Sequence, residues 1–350
     1  MKGTQGTLTV GEILRDADTP ILPSSALGPS KIYVEATTRC NLDCGFCMRR
    51  AWDESLGDMD PQTFAAVLDG VKALSRRPTL LFGGIGEPLA HPRLPEMVGQ
   101  AKSLGARVEL VTNGTLLSQA MGQALIEAGL DLLWVSVDGA TPERYADLRV
   151  GAALPDVLDN LGLFCGDRRT RGTGPEVGIA FVAMRRNLAD LPALLNLAGS
   201  LGVTHFHVSH LLAHTEEMLE ETLYPQARSV NPPRMGGHCP FVESGAVAVG
   251  WDGSVSPCVP LLHGSTSFLN GGERCAQRWS VGRLADNALL DLWNGQKLQE
   301  FRHRVKAFRF APCASCGGCA RIHGNEDDCF GNPSPTCGGC LWSQGLISCP

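Results

Sequence analysis

Apolar residues in this chain follow two alternating patterns: short runs typical of buried strands, and longer stretches in which they recur every three or four positions. The short runs predict six strands, at residues 32–36, 79–82, 108–112, 132–137, 177–182 and 205–208. The longer stretches predict a helix after each of the first five strands, and one apolar stripe comprises Leu191, Leu194, Leu195, Ala198 and Leu201. Alternating strands and helices form parallel βα units, so an α/β barrel and an open doubly wound sheet both fit the pattern.

The charge and the hydropathy of the chain lead us to expect a cytoplasmic protein. Its 350 residues carry a net charge of −6 with both signs interspersed, which argues against a nucleic-acid partner. No apolar run approaches the roughly 20 residues that span a bilayer, and no basic segment followed by an apolar one opens the sequence. We therefore expect no membrane span and no signal peptide. The fourteen cysteines are then expected to be metal or cluster ligands, because the cytosol disfavours structural disulfides.

Three of these cysteines lie close together directly after the first predicted strand. Cys40, Cys44 and Cys47 have the spacing CxxxCxxC, and three such thiolates can bind three irons of a [4Fe-4S] cluster. No fourth cysteine follows nearby, so one iron would stay open to a substrate or cofactor. A zinc site would need a fourth Cys or His close by, and three clustered thiols cannot all form disulfides. The loop therefore predicts an iron–sulfur cluster with a ligand-binding iron.

Other candidate residues follow the second, third and fourth strands. In an α/β barrel the active-site groups lie at the carboxyl ends of the strands. A glycine-rich stretch stands after the second strand, and glycines let the backbone approach a ligand because they lack a Cβ atom. Each stretch by itself is also consistent with an ordinary turn or a solvated charge. The candidates are Gly84, Gly86, Glu87, Asn113, Ser136, Asp138 and Arg149.

The cysteine loop, with Phe46 just before its third thiol, and the strand-end motifs resemble the radical SAM superfamily. The resemblance implies a partial (β/α)6 TIM-like barrel, and it implies that S-adenosylmethionine (SAM) binds the open iron through its amino and carboxylate groups. An electron from the cluster would then cleave SAM and leave a 5′-deoxyadenosyl radical. A low-potential electron donor, ferredoxin or flavodoxin, is implied as a partner.

The resemblance also implies which residues contact SAM. The glycine-rich stretch would hold the amino group, and the residues after the fourth strand would hold the ribose and carboxylate. We expect Glu87, Asp138 and Arg149 to matter for SAM binding more than for folding. The implied contacts are Phe46, Gly84, Gly86, Glu87, Asn113, Ser136, Asp138 and Arg149.

The composition changes to loop-forming residues at 231–237, and the segment beyond holds ten of the fourteen cysteines. Cys239 followed by the G-x4-C pattern of Gly253 and Cys258 resembles the opening of the SPASM domain, an auxiliary-cluster module of radical SAM maturases. Gly253 is predicted to lie in the turn of a hairpin that presents Cys258. The resemblance implies one or two auxiliary [4Fe-4S] clusters. The candidate ligands are Cys239, Cys258, Cys313, Cys316, Cys319, Cys329, Cys337 and Cys340.

The cysteine spacing beyond residue 313 departs from the usual SPASM pattern, so the pairing of these ligands stays open. A zinc site on Cys313, Cys316, Cys337 and Cys340 is an alternative, because the gap between the two pairs is close to zinc-ribbon spacing. Cys165 lies on the apolar face of a helix and is predicted to be a small buried hydrophobe.

Two polar groups allow more than one interpretation. His205, His207, His210 and His214 begin in the sixth strand, and we interpret them as lining the barrel mouth or bonding locally, with a metal pair as the alternative. Residues 52–59, just past the cysteine loop, read as a solvated connection, with substrate contact as a second hypothesis.

Residues 47–59 and 325–342 resemble the radical SAM maturases associated with tungsten-containing aldehyde:ferredoxin oxidoreductases, also called cofactor-modifying proteins. This resemblance implies that the protein matures a tungsten oxidoreductase or its pterin cofactor. One alternative is a SPASM maturase that modifies a peptide or protein, similar to sulfatase-activating or thioether-forming enzymes. Another is a non-catalytic metal-cluster or zinc-binding interaction protein, against which the intact SAM motifs argue. We divide the chain into an N-terminal extension (1–30), a radical SAM core (31–230) and a SPASM-like auxiliary domain (231–350).

Overall fold

The computed structural model describes residues 28–224, 238–269, 272–314, 321 and 326–350. Most of the N-terminal extension and the proposed boundary at residues 231–237 lie outside these ranges, as do Cys316 and Cys319. None of the helices in the described ranges is long and apolar enough to cross a membrane.

All six predicted strands form, each ending within two residues of its predicted limits. They are β1 (Lys31–Val34), β2 (Thr79–Phe82), β3 (Arg107–Thr112), β4 (Leu132–Ser136), β5 (Glu176–Ala183) and β6 (His205–His210). The helices between them are α1 (Pro61–Ala73), α2 (Leu94–Ser103), α3 (Gln119–Glu127), α4 (Pro142–Leu148), α5 (Leu154–Arg171) and α6 (Leu191–Leu201).

The cysteine-rich part of the chain is built from shorter elements. Its strands are β7 (Ala246–Val249), β8 (Ser254–Ser256), β9 (Ser265–Leu269), β10 (Gly272–Ala276) and β11 (Gly282–Arg283). Its helices are α7 (Pro240–Glu243), α8 (Leu289–Asn294) and α9 (Gln296–Ala307). The predicted hairpin is confirmed, since β7 and β8 pair antiparallel and Gly253 turns between them with a φ of +80°.

One sheet runs through both parts of the molecule, in the order β11-β8-β7-β1-β2-β3-β4-β5-β6. Strands β1 to β6 are parallel and form the open α/β barrel that the resemblance implied. Strand β7 pairs in parallel with the free edge of β1, so Ile32 lies opposite Leu80 on one side and Val247 on the other. This pairing was not predicted, because it joins segments that lie far apart in the sequence.

The pleat of the parallel strands separates a helix-covered face from a cavity-lining face, since successive side chains of a strand point to opposite sides. Fully buried residues such as Ile32, Leu80 and Leu110 pack against the surrounding helices in the main core. The alternate positions, for example Val111 and Ala180, line a cavity inside the barrel. The carboxyl ends of the strands therefore surround an interior space.

The last residues of the chain lie at the open side of this barrel. The Ser348 amide donates to Ser209 Oγ at 3.1 Å, and Ser348 O lies 3.2 Å from His207 Nε2, both on β6. Lys31 Nζ donates to the carbonyl oxygen of Pro350 at 3.1 Å at the beginning of β1. The terminal segment thus contacts the first and last strands of the barrel and lines its cavity.

Candidate active site

The loop that carries the first three cysteines is held to the end of helix α4. The Asp43 amide donates to the carbonyl of Val150, and the Gly45 amide donates to the carbonyl of Leu148, both at 3.0 Å. Burial raises the pKa of the Cys44 thiol to about 11 against the influence of Arg149, and Cys47 and Cys40 raise it further. The structure thus brings together Cys40, Cys44 and Cys47, hereafter the thiol trio, at the cavity.

Asn113 follows β3 and reaches the trio. Its Nδ2 lies 3.9 Å from the sulfur of Cys40 and donates to Asn41 Oδ1 at 3.0 Å. Its Oδ1 accepts from the Thr115 amide at 2.9 Å, so the side-chain amide is fixed in orientation. Asn113 is therefore positioned to donate towards a cysteine ligand.

The glycine-rich loop after β2 packs tightly against the chain that leads into the trio. A Cβ on Gly86 would lie 2.2 Å from the carbonyl oxygen of Thr37, and one on Gly84, where φ is +135°, would lie 2.8 Å from Glu35 Oε1. The Glu87 amide donates to the Arg39 carbonyl at 2.8 Å. Glycine is needed here because two backbone segments meet, in addition to any contact with a ligand.

The Glu87 carboxylate joins the ends of β2 and β3. It accepts from the Leu89 amide at 3.0 Å, the Thr112 hydroxyl at 2.6 Å and the Asn113 amide at 2.7 Å. Burial raises its pKa, while these hydrogen bonds lower it in part. At 2 % exposure, this carboxylate is bonded to the protein itself.

Asp138 and Arg149 form a buried ion pair beside the trio. Asp138 Oδ2 accepts from Arg149 Nε at 2.7 Å, and Asp138 Oδ1 accepts from the Val182 amide at 2.7 Å. The guanidinium lies 5.6 Å from the ring centroid of Phe46. Burial lowers the pKa of Arg149, but Asp138 and then Cys44 raise it by more. We expected Glu87, Asp138 and Arg149 to matter more for SAM binding than for folding. All three are buried in the packed fold, so replacing them should also cost stability, and the larger effect on SAM binding stays a prediction.

A second group of cysteines assembles in the SPASM-like part. Burial, followed by Cys340, Cys239 and Cys337 in that order, raises the pKa of the Cys258 thiol well above its ordinary value. Burial, Cys340 and Cys239 do the same for Cys337. These four thiols, hereafter the thiol quartet, come from three separate segments, at α7, after β8 and at the 3-10 helix Cys337–Gly339.

Cys349 lies beside the quartet without belonging to it. Its sulfur accepts from Trp342 Nε1 at 3.4 Å, and Cys340 is among the groups that raise its pKa, after burial. Cys313 and Cys329 also line the cavity, and Cys329 is exposed. Cys165 is buried on α5, as predicted.

Cys337 and Cys340 lie with Cys239 and Cys258, whereas Cys316 lies outside the described residues, so the structure does not test the zinc alternative. Within the described ranges, no three or more His, Cys, Asp or Glu residues are arranged to hold a single metal ion. In a cubane cluster each thiolate binds a different iron, so its ligands need not converge on one point.

The trio and three thiols of the quartet, Cys258, Cys337 and Cys340, line one cavity of about 650 Å³, which is in the usual range for ligand pockets. Its wall includes the glycine-rich loop, Ser136 and Arg149. Residues on the C-terminal side that line it include Cys258, Cys337, Cys340, Leu341 and Trp342.

The structure locates the four histidines for which the sequence allowed two interpretations. His207, His210 and His214 line the cavity, and His205 and His207 pack edge-on against Trp134. His214 Nδ1 lies 2.7 Å from the Thr266 carbonyl, so these histidines line the mouth or bond locally.

Side chains in the 52–59 stretch form hydrogen bonds within the protein, and none of these residues lines the cavity. The Asp58 carboxylate accepts from Thr37 Oγ1 at 2.6 Å and from Arg39 Nε at 3.1 Å. Glu54 bonds to His263, which also bonds to Glu35. Sequence reasoning missed this histidine contact, because His263 stands in no motif. The only signal in the sequence was Glu35, a charged residue in the first predicted strand, just before the cysteine loop.

An open parallel barrel with three thiols after its first strand and buried polar groups at the next strand ends defines a radical SAM enzyme. Residues 34–168 match the radical SAM superfamily, and residues 239–320 match the iron–sulfur cluster-binding SPASM domain. Both matches support an enzyme over the non-catalytic alternative.

The chain is 31 % identical to the "Tungsten-containing aldehyde ferredoxin oxidoreductase cofactor-modifying protein" of Pyrococcus furiosus, over 91 % of this chain and 96 % of that protein. It therefore belongs to the radical SAM family with a SPASM domain that includes this relative. It is also 31 % identical to the PqqA peptide cyclase of Gluconobacter oxydans, over 52 % of this chain and 49 % of that one. The fold resembles Streptococcus suis SuiB bound to its precursor peptide SuiA, with a TM-score of 0.61 and 15 % identity over 83 % of this chain and 70 % of that chain.

Proposed function

We propose that this protein cleaves SAM reductively and uses the product to mature a tungsten-containing aldehyde:ferredoxin oxidoreductase or its pterin cofactor. The observation that carries the proposal is the one cavity that is lined by the thiol trio and by three thiols of the quartet. The nearly full-length similarity to the cofactor-modifying protein of Pyrococcus furiosus supports the choice of substrate.

Cys40, Cys44 and Cys47 would hold the first [4Fe-4S] cluster. Three neighbouring thiolates from one loop can bind three of the four irons of a cubane cluster. The fourth iron is then available to SAM. When bound, this cluster supplies the electron that cleaves SAM to methionine and a 5′-deoxyadenosyl radical. Asn113 would donate to the sulfur of Cys40 and so stabilise a reduced, more negative cluster.

The SAM contacts follow the strand ends. The glycine-rich loop around Gly84 and Gly86 would face the amino group, and Ser136 would face the ribose. Arg149 would hold the carboxylate, because it carries a positive charge at the cavity wall beside Cys44. Asp138 would act through Arg149, whose guanidinium it holds in place.

The quartet Cys239, Cys258, Cys337 and Cys340 would bind one auxiliary [4Fe-4S] cluster. Buried thiols that raise one another's pKa, as Cys340, Cys239 and Cys337 do for Cys258, would be deprotonated together only with a bound cation. The remaining candidate ligands, Cys313, Cys316, Cys319 and Cys329, would bind a second one. Auxiliary clusters near the cavity would anchor a substrate or accept an electron from its radical.

The partners follow from this chemistry. A ferredoxin or flavodoxin would reduce the first cluster, and the pterin, or a segment of the tungsten oxidoreductase, would enter the shared cavity. Both reactions fit a cytoplasmic protein.

Anaerobic reconstitution tests the proposal directly. The reconstituted protein is incubated with SAM, a low-potential reductant and, in separate reactions, an immature tungsten oxidoreductase or its isolated pterin. We expect 5′-deoxyadenosine to form and one of these two substrates to change in mass. Absence of 5′-deoxyadenosine under all conditions would refute SAM cleavage.

A peptide-modifying activity is the second candidate. It is favoured by the similarity to a PqqA peptide cyclase across half of the chain. A mass change in a ribosomal peptide, with the tungsten oxidoreductase and its pterin left unaltered, would select this candidate instead.

A further inference from the structure

A histidine of the SPASM domain is buried between two glutamates of the barrel. His263 follows the 3-10 helix Val259–Leu261 and is 2 % exposed. Its Nε2 lies 2.8 Å from Oε2 of Glu35, and its Nδ1 lies 2.8 Å from Oε2 of Glu54. The indole of Trp52 packs edge-on against the imidazole at 5.1 Å. We refer to Glu35, His263 and Glu54 as the histidine bridge.

This geometry requires the charged form of His263. A neutral imidazole has one N–H donor, whereas the imidazolium has two and can donate to both carboxylates at once. If the ring lost a proton, one carboxylate would face a nitrogen lone pair in a buried site. Burial lowers the pKa of His263, but the two carboxylates outweigh it and raise the pKa above its ordinary value of 6.5.

The other charges at the bridge come from the turn before β8 and the loop after β10. Arg278 Nη1 lies 3.6 Å from Oε2 of Glu54, and Arg278 also pairs with Asp252 through Nη2 at 2.5 Å. Glu35, whose side chain is fully buried, contacts no cation other than His263 in the described ranges. The charge on His263 is therefore the charge that balances Glu35.

The bridge joins the glycine-rich loop, the segment that follows the thiol trio, and the SPASM-like part. The second oxygen of Glu35 accepts from the Ile85 amide at 3.2 Å, inside the glycine-rich loop. The second oxygen of Glu54, which follows the trio, accepts from the Gly264 amide at 2.6 Å. None of the three bridge residues lines the cavity, so they act on the site through the backbone they hold.

We propose that His263 is a positioning residue that, in its doubly protonated form, fixes the glycine-rich loop in the conformation that binds SAM. The SPASM domain thereby controls the geometry of the first site through one hydrogen-bonded bridge, independently of any auxiliary cluster. This role rests on the proposed SAM site.

The sign of the pH dependence follows from the raised pKa of His263. The bridge is complete below the ordinary histidine value of 6.5 and is lost as pH rises through the raised folded-state pKa. SAM affinity of the reconstituted full-length protein should therefore be constant at the acidic end and fall as the pH rises.

The first measurement is SAM binding by anaerobic equilibrium dialysis from pH 6 to pH 9, a range that begins below the ordinary imidazole pKa of 6.5 and covers the values above it. His263→Gln should bind SAM at least about tenfold more weakly at pH 6.5 and show no further loss at alkaline pH. Glu54→Gln keeps the contact with Glu35 but removes one carboxylate. It should therefore move the midpoint of the wild-type profile to lower pH. If His263→Gln fails to fold, this midpoint shift decides the matter.

The second measurement does not need SAM. Hydrogen exchange of the peptide that contains residues 83–88, corrected for intrinsic pH dependence, should be at least about tenfold faster in His263→Gln than in wild type. Slow exchange in that variant, or a midpoint that Glu54→Gln leaves unmoved, would overturn the proposal. Wild-type protein that fails to bind SAM would instead refute the proposed function, while the exchange of this loop would still decide the role of His263.

Discussion

The thiol trio and the thiol quartet face the same cavity but are assembled in opposite ways. The trio comes from eight consecutive residues in one loop, held by backbone hydrogen bonds to the end of α4. The quartet comes from three segments that the tertiary fold brings together. A local motif carries its own geometry and can be recognised from spacing, whereas a non-local set exists only in the folded domain.

The two groups also differ in their surroundings. The positive charge of Arg149 lowers the pKa of Cys44, and Asn113 lies within reach of Cys40. In the quartet, the neighbours that act on Cys258 are mainly other thiols, all of which raise its pKa. The trio thus has a cation and an amide donor close to its thiols, whereas Cys258 of the quartet has mainly other thiols around it.

The largest effect is expected from removing the trio. The triple variant Cys40→Ala/Cys44→Ala/Cys47→Ala should form no 5′-deoxyadenosine, yet keep about eight irons per chain if both auxiliary sites are cubane. Cys165→Ala, a buried thiol outside either group, serves as the control. Unchanged turnover in the triple variant would contradict the role of the trio, and zinc without iron would contradict the auxiliary clusters.

The next effect concerns the ion pair beside the trio. Asp138→Asn leaves the buried Arg149 without its carboxylate, and breaking a buried pair in this way costs about 3–5 kcal/mol. The free energy of unfolding, measured anaerobically with denaturant, tests this value. Asp147→Asn breaks an exposed pair with Arg186 and should cost less than about 1 kcal/mol. Equal costs for the two variants would show that the buried pair does not stabilise the site.

A smaller effect is expected from Gly86→Ala, which places a Cβ 2.2 Å from the Thr37 carbonyl oxygen. The loop must shift, and overpacking of this kind costs about 1–3 kcal/mol. Gly199→Ala, on α6, is the matched control, because nothing lies within 4 Å of its added Cβ. We expect slower SAM cleavage and a lower thermal midpoint for Gly86→Ala alone, and a wild-type midpoint would contradict the close approach.

The smallest effect on SAM cleavage is expected from the quartet itself. Cys258→Ala/Cys337→Ala should lose about four irons. Its substrate-independent formation of 5′-deoxyadenosine should stay within about threefold of wild type, since distant sites act independently. Cys275→Ala, on β10, is the control. Loss of the first cluster in the double variant would mean that the two groups are not separable.

The sequence predicted the barrel well because its signals are local. Strands β2 and β4, for example, are apolar runs closed by glycine or a polar residue. An aspartate followed by a proline is a local signal for the start of a helix, and Asp60 accepts from the Thr63 amide at 2.7 Å at the start of α1. The trio and the strand-end residues were found for the same reason. Spacing alone did not predict the quartet, the pairing of β7 with β1 or the histidine bridge, because each depends on contacts between distant segments.

The burial of Glu87, Asp138 and Arg149 could not be predicted either. A polar residue after a strand reads as exposed, and only the structure shows three hydrogen bonds to one Glu87 carboxylate. Such residues combine folding with ligand contact, and a motif cannot separate these two roles.

The pairing of β7 with β1 has a consequence for how the protein is made. During synthesis the barrel strands emerge first, and the edge of β1 that faces away from β2 has no hydrogen-bonded neighbour until residues 246–249 have left the ribosome. An uncovered apolar edge strand is a template for aggregation. A chain cut at residue 230 should therefore accumulate as insoluble protein. The catalytic barrel is completed only when the cysteine-rich segment supplies its last strand.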